Sequence, residues 1–174
     1  MGTHHMKTRY LFAAASLIAL SGCQSIQNWT GTAPEPSLAE RAGAPLFEGM
    51  GTFHREITTA NPDAQKYFDQ GMVLAFGFNH AESIRSFRAA QKLDPSCAMC
   101  FWGEALATGP NINVTSKGRA VMSPADREAA YKAVKRAAAL KANATPAEQA
   151  LIEALETRYS ADFEAAREPQ DIAY

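Results

Sequence analysis

Two cysteines, Cys97 and Cys100, stand in a C-x-x-C spacing where a helix is expected to begin. At that place the free amides and the positive end of the helix dipole stabilise a thiolate and lower its pKa. Redox or metal chemistry would follow if a further ligand joined. His80, together with His54, would supply the nitrogen of a soft N/S site. Structural readings weigh more. No strand is expected before the pair, as in thioredoxin-like folds. No His follows Cys100 as haem attachment needs, and no second C-x-x-C completes a zinc site. In an oxidising compartment the two thiols would close a local disulfide, or lie buried as small apolar residues.

The third cysteine, Cys23, has a different setting. From Met6 the chain runs through a basic start (Lys7, Arg9), an apolar stretch LFAAASLIAL, and small residues before Cys23. This is the order of a secretory signal. The apolar stretch is shorter than the roughly 20 residues that cross a bilayer, so a cleaved signal is expected rather than a span. Leu20-Ser21-Gly22-Cys23 resembles the lipobox of bacterial lipoproteins. That resemblance implies a diacylglyceryl thioether on Cys23 and an acylated new N-terminus. It also implies, with Gln24 following, an outer-membrane anchor facing the periplasm.

Other candidates are weaker. Phe76, Phe78, Phe101 and Trp102 would make an aromatic ligand patch, but core packing is the better expectation. Arg85 and Glu104 would face a groove or simply solvent. Asn111 and Asn113 lie in a loop whose GPN sequence is also a strong turn former. No nucleophile elbow, phosphate loop, HExxH or paired-carboxylate motif occurs, so no catalytic residue, no enzyme activity and no cofactor are expected. Basic residues number 17 against 18 acidic, and removing Lys7 and Arg9 with the signal leaves 15 against 18. A nucleic-acid partner does not fit that balance.

The elements that must position these residues are helical. Alanine is abundant and strand-like alternation is absent, which points to an all-α fold. Within the 174 residues three stretches are expected. Residues 1–22 are an N-terminal extension and signal. Residues 23–60 are a tether, rich in Pro, Gly, Ser and Ala to about residue 48, and an extended lead-in that packs on the first helix. Residues 61–174 are a helical domain.

In that domain Asn61-Pro62 starts the first helix, with an N-cap side chain and a proline where no amide is needed. Asn79 and Glu82 are spaced as a capping box for the second, which Asp94-Pro95 stops. Ser96 is expected to cap a third helix to about Thr108, ended by Gly109-Pro110. After a long polar loop, Ser123-Pro124 and Thr145-Pro146 open two more, reaching about Leu140 and Tyr159. After Ser160 no further apolar face is completed.

Tyr67, Gly71, Phe87, Ala90 and Pro95 fall at the spacing of a tetratricopeptide repeat, and one period of 34 residues later come Phe101 and Ala105. The segment resembles that family. More narrowly it is similar to the opening of longer bacterial members without an assigned reaction. Gln70 and Ser83 depart from the pattern, where Leu and Ala are usual. The resemblance implies antiparallel helix pairs stacked as a right-handed superhelix. It further implies a groove for a protein or peptide partner, carried at the cell envelope by the lipid on Cys23.

Overall fold

The computed structural model describes residues 35–111 and 122–174. The expectations for the signal segment, for Cys23 and for Asn113 lie outside the described residues. Among the described residues the chain is helical and forms no β-strand. The helices are α1 (Leu38–Ala42), α2 (Pro62–Phe76), α3 (His80–Leu93), α4 (Ala98–Thr108), α5 (Pro124–Leu140), α6 (Pro146–Glu156) and α7 (Glu168–Ala173). A 3-10 turn, Lys141–Asn143, joins α5 to α6.

Local chemistry explains most of the boundaries. Asn61, Ser123 and Thr145 each accept an amide of the first turn, and each is followed by proline at the first helical position. At Thr145 the Glu148 side chain returns to the cap amide and completes a capping box. Asn79 accepts from the Glu82 amide at 3.4 Å and opens α3. The start of α4 differs from expectation. Cys97 rather than Ser96 is the N-cap, its sulfur accepting from the Cys100 amide, while Ser96 donates its amide and hydroxyl to Asp94. The carboxylate is the stronger acceptor and draws Ser96 back toward the turn. α6 also ends at Glu156, a turn earlier than Tyr159.

Packing follows a regular order. α2 lies on α3, α3 on α4, α4 on α5 and α5 on α6; in addition α2 touches α4, and α4 touches α6. The even-numbered helices therefore form one row, with α3 and α5 on its other side. At the centre the fully buried Phe87 ring fills the crossing of three helices. A Cβ on Gly71 of α2 would come within 2.8 Å of that ring, and one on Gly103 of α4 would collide with it outright. Phe68 meets the ring edge-on at 5.6 Å between centroids. Gly71 was legible as a close-crossing residue; Gly103 was not. Trp102 donates its indole N–H to the Leu151 carbonyl, and the Tyr159 hydroxyl donates to the Ala105 carbonyl, tying α4 to α6 and to the chain after it. Burial raises the Tyr159 phenol well above its ordinary pKa, so it stays a donor.

The tether expectation needs correction from residue 35 onward. Glu35–Tyr174 is one compact unit. A Ser37/Glu40 capping box starts α1, and Gly43 in the left-handed region (φ 78°) ends it. α1 packs on α3 and buries Ala42. Beyond it the lead-in is fastened to α2 by bonds that sequence composition does not announce. The Tyr67 hydroxyl donates to the Ala44 carbonyl; Gln70 donates to Pro45 and accepts from the Phe47 amide. Asp69 accepts from the Arg55 amide and pairs with His54, and Gln65 accepts from the Ile57 amide. Gln65 and Asp69 share one stripe of α2, while Ala64, Phe68 and Met72 occupy another. The lead-in thus covers a polar face of α2.

Candidate functional site

The two cysteines are joined as a disulfide, and both are buried. Of the alternatives open in the sequence, the local staple is the one formed. The expectation of a metal or redox trio with His80 is corrected by geometry. His80 opens α3, whereas the disulfide follows its far end, and the 14 residues of that helix span about 20 Å. Among the described residues no three His, Cys, Asp or Glu side chains are grouped to hold a metal. His54 is engaged with Asp69, 2.8 Å away. Closing so short a loop removes about 2 kcal/mol of denatured-state entropy. Reduction is therefore expected to lower the unfolding free energy by about that amount, read as a shift of the urea midpoint with and without reductant. In the native chain Cys97 and Cys100 are expected to give no thiol titre; two reactive thiols there would contradict the staple.

His80 belongs instead to a corner where α2 ends, α3 begins and α4 ends. The Asn111 amide nitrogen lies 3.3 Å from His80 Nε2. His80 Nδ1 is buried and has no hydrogen-bond partner among the described residues. The Thr108 hydroxyl, in the last turn of α4, is likewise buried and has no hydrogen-bond partner among the described residues. Phe78 adopts φ 59°, costly for a bulky residue, and its ring meets His80 edge-on at 5.9 Å.

The aromatic set divides. Trp102 is buried and Phe101 half-buried, as core packing requires. Phe76 and Phe78 are 69% and 52% exposed, so the core expectation fails for them. The repeat-signature residues Tyr67, Gly71, Phe87, Ala90 and Ala105 are buried at helix crossings, and Pro95 is exposed in the α3–α4 turn. Arg85 is exposed and pairs with Glu82. Glu104 is buried, and its two oxygens accept from Arg88 Nε and Gln91 Nε2, each at 2.7 Å.

Around that carboxylate lies an open cleft of about 310 Å³, lined by Arg88, Phe101, Glu104, Lys132, Arg136 and two alanines. It sits on the α3 and α5 side of α4. Arg136 lies over the Phe101 ring at 5.7 Å. Sequence reading singled out Glu104 and Phe101 but missed Arg88, Lys132 and Arg136, because helical spacing alone does not reveal which charges on three separate helices converge.

A second opening lies between the lead-in and α6, lined by Glu56, Ile57, Thr58, Thr59, Thr145 and Glu148. Buried Glu148 accepts from the amides and hydroxyls of both Thr58 and Thr145. Buried Asp94 does the same for Thr59, Ala60 and Ser96. Burial alone would raise both carboxyl pKa values; these bonds outweigh it and hold them below the ordinary range. These carboxylates are fasteners with every oxygen engaged, not acids poised for proton transfer.

Comparison with family models, with curated proteins and with solved structures finds no match for this chain. The described residues form an all-α unit with a stapled helix start, a pinned lead-in and a cation-lined cleft.

Proposed function

We propose that the chain is an exported, lipid-anchored helical repeat module of the tetratricopeptide type, binding a protein or peptide partner in the bacterial cell envelope. The observation that carries this reading is the row of α2, α4 and α6, each touching the next while α3 and α5 back it. Stacking of that kind buries faces that single helix pairs would leave open, and it continues into a right-handed superhelix. The lead-in on α2 then acts as the terminal cap such arrays need. A disulfide in the core supports an oxidising compartment, where such bonds persist. The anchor rests on Leu20-Ser21-Gly22-Cys23.

The test has two arms. In cells, labelled palmitate is expected on the chain and lost in Cys23→Ser; label surviving that change would overturn the anchor. A photo-crosslinking residue at Phe76 or Glu153, on the ends of the row, is expected to give a discrete adduct, and a chain that gives none at either position would overturn partner binding. The alternative reading, thiol exchange or metal handling by Cys97, Cys100 and His80, has less support, since the sulfurs are buried and the imidazole is remote. Catalytic reduction of insulin by the purified chain would favour it.

A further inference from the structure

We infer that the cleft between α3, α4 and α5 is a docking site for an acidic, leucine-bearing segment of a protein partner. This deepens the binding reading above and rests on it. The cleft carries three cations, Arg88, Lys132 and Arg136, on a chain whose overall charge is negative. Composition therefore does not account for the concentration of positive charge.

Its one lining acid, Glu104, is already used: Arg88 and Gln91 take both of its oxygens, and it is buried beneath them. Lys132 pairs with Glu128 one turn back, an exposed pair that contributes little and is readily exchanged. Among the described residues Arg136 has no carboxylate within ion-pair distance. It is held over Phe101, which fixes its direction without neutralising it. A guanidinium so placed presents its fork to an incoming carboxylate.

The floor selects the rest of the ligand. Phe101, Ala129 and Ala133 give a small apolar bed, and about 310 Å³ is at the lower limit of ligand pockets. That space suits one or two side chains of a segment rather than a cofactor. A peptide with alternating acidic and aliphatic residues satisfies both requirements: carboxylates on the cationic rim and an aliphatic side chain on the phenyl face. A free phosphate would use only the rim.

The experiment uses the full chain and a short fluorescein-labelled peptide alternating glutamate and leucine, with a lysine-for-glutamate counterpart as control. The acidic probe is expected to bind, to weaken as salt rises, and to lose about tenfold in affinity with Arg136→Glu and again with Lys132→Glu. Both positions are exposed, and unchanged circular dichroism verifies folding. Equal binding of the two peptides, no binding of the acidic one, unchanged affinity in both variants, or displacement by inorganic phosphate as effective as by unlabelled peptide would each overturn the proposal. Crosslinked adducts at Phe76 or Glu153 that persist in Arg136→Glu would show that the module binds elsewhere, so this site can fail while the broader reading stands.

Discussion

Replacing Phe87 with alanine is expected to lower the unfolding free energy by about 3 to 5 kcal/mol, a large share of the roughly 5 to 15 kcal/mol a domain possesses. The ring is fully buried and fills the place where α2, α3 and α4 meet. Two glycines, one on α2 and one on α4, lie against it, and Phe68 meets its edge, so the cavity left behind has few neighbours able to move inward. The converse change is informative too. Gly103→Ala would drive a methyl group into the ring, and such overpacking costs about 1 to 3 kcal/mol. Urea titration followed by circular dichroism measures both, with the midpoint falling and the slope unchanged. A loss under about 1 kcal/mol for Phe87→Ala would mean the three-helix crossing is not packed as described.

The second large effect is acid sensitivity at the lead-in. Glu148 and Asp94 have folded-state pKa values below their ordinary ones, because four donors to each outweigh burial. A carboxyl with a depressed folded pKa stabilises the native state above its unfolded value, near 4, and that stabilisation is lost as pH falls through the folded value. Stability is thus expected to be flat from neutral pH to about pH 5 and to decline below about 4. Glu148→Gln removes the charge while keeping the size. It is expected to cost about 2 to 3 kcal/mol at pH 7 and to flatten the acid limb, because bonds to a charged acceptor are the stronger ones. Urea midpoints across pH for the parent chain, Glu148→Gln and Asp94→Asn give the comparison. Hydrogen exchange at the Thr58 and Ala60 amides, which these carboxylates accept, locates the change in the lead-in. An acid limb identical in all three chains would remove these two groups as its cause.

Much of the helical domain was legible because its signals are local. Asn61-Pro62, Ser123-Pro124 and Thr145-Pro146 fix helix starts through bonds made within one turn, and the structure has helices opening at each. The same holds for Asn79 and for the stops near Leu93 and Thr108. Errors arose where a competing partner, near or far along the chain, took a group away from its expected bond. Asp94 drew Ser96 from the cap position and left it to Cys97. Residues 35 to 48 read as tether because they continue a stretch rich in Pro, Gly, Ser and Ala with no sustained apolar period, yet Tyr67 and Gln70 supply bonds to that backbone.

Gln70 and Ser83, odd against the repeat pattern, have their reasons in the same contacts. Gln70 bridges the lead-in to Ser86, and Ser83 donates to the Gly71 carbonyl where the helices run close. Both are buried polar groups that would be costly without those partners. No periodicity in the sequence could have assigned them, since each partner lies 12 or more residues away.

By itself, then, the sequence determined that this unit is helical, where most helices begin and which stripes are apolar, because capping and amphipathic spacing act over a few residues. Only the tertiary structure decided that Cys97 and Cys100 close on each other while His80 stands at the far end of α3. It alone folded the lead-in onto α2 and α6 and brought Arg88, Lys132 and Arg136 to one cleft. Those outcomes depend on which helix faces pack together, and that is settled by the shape of the buried surfaces rather than by any run of neighbouring residues.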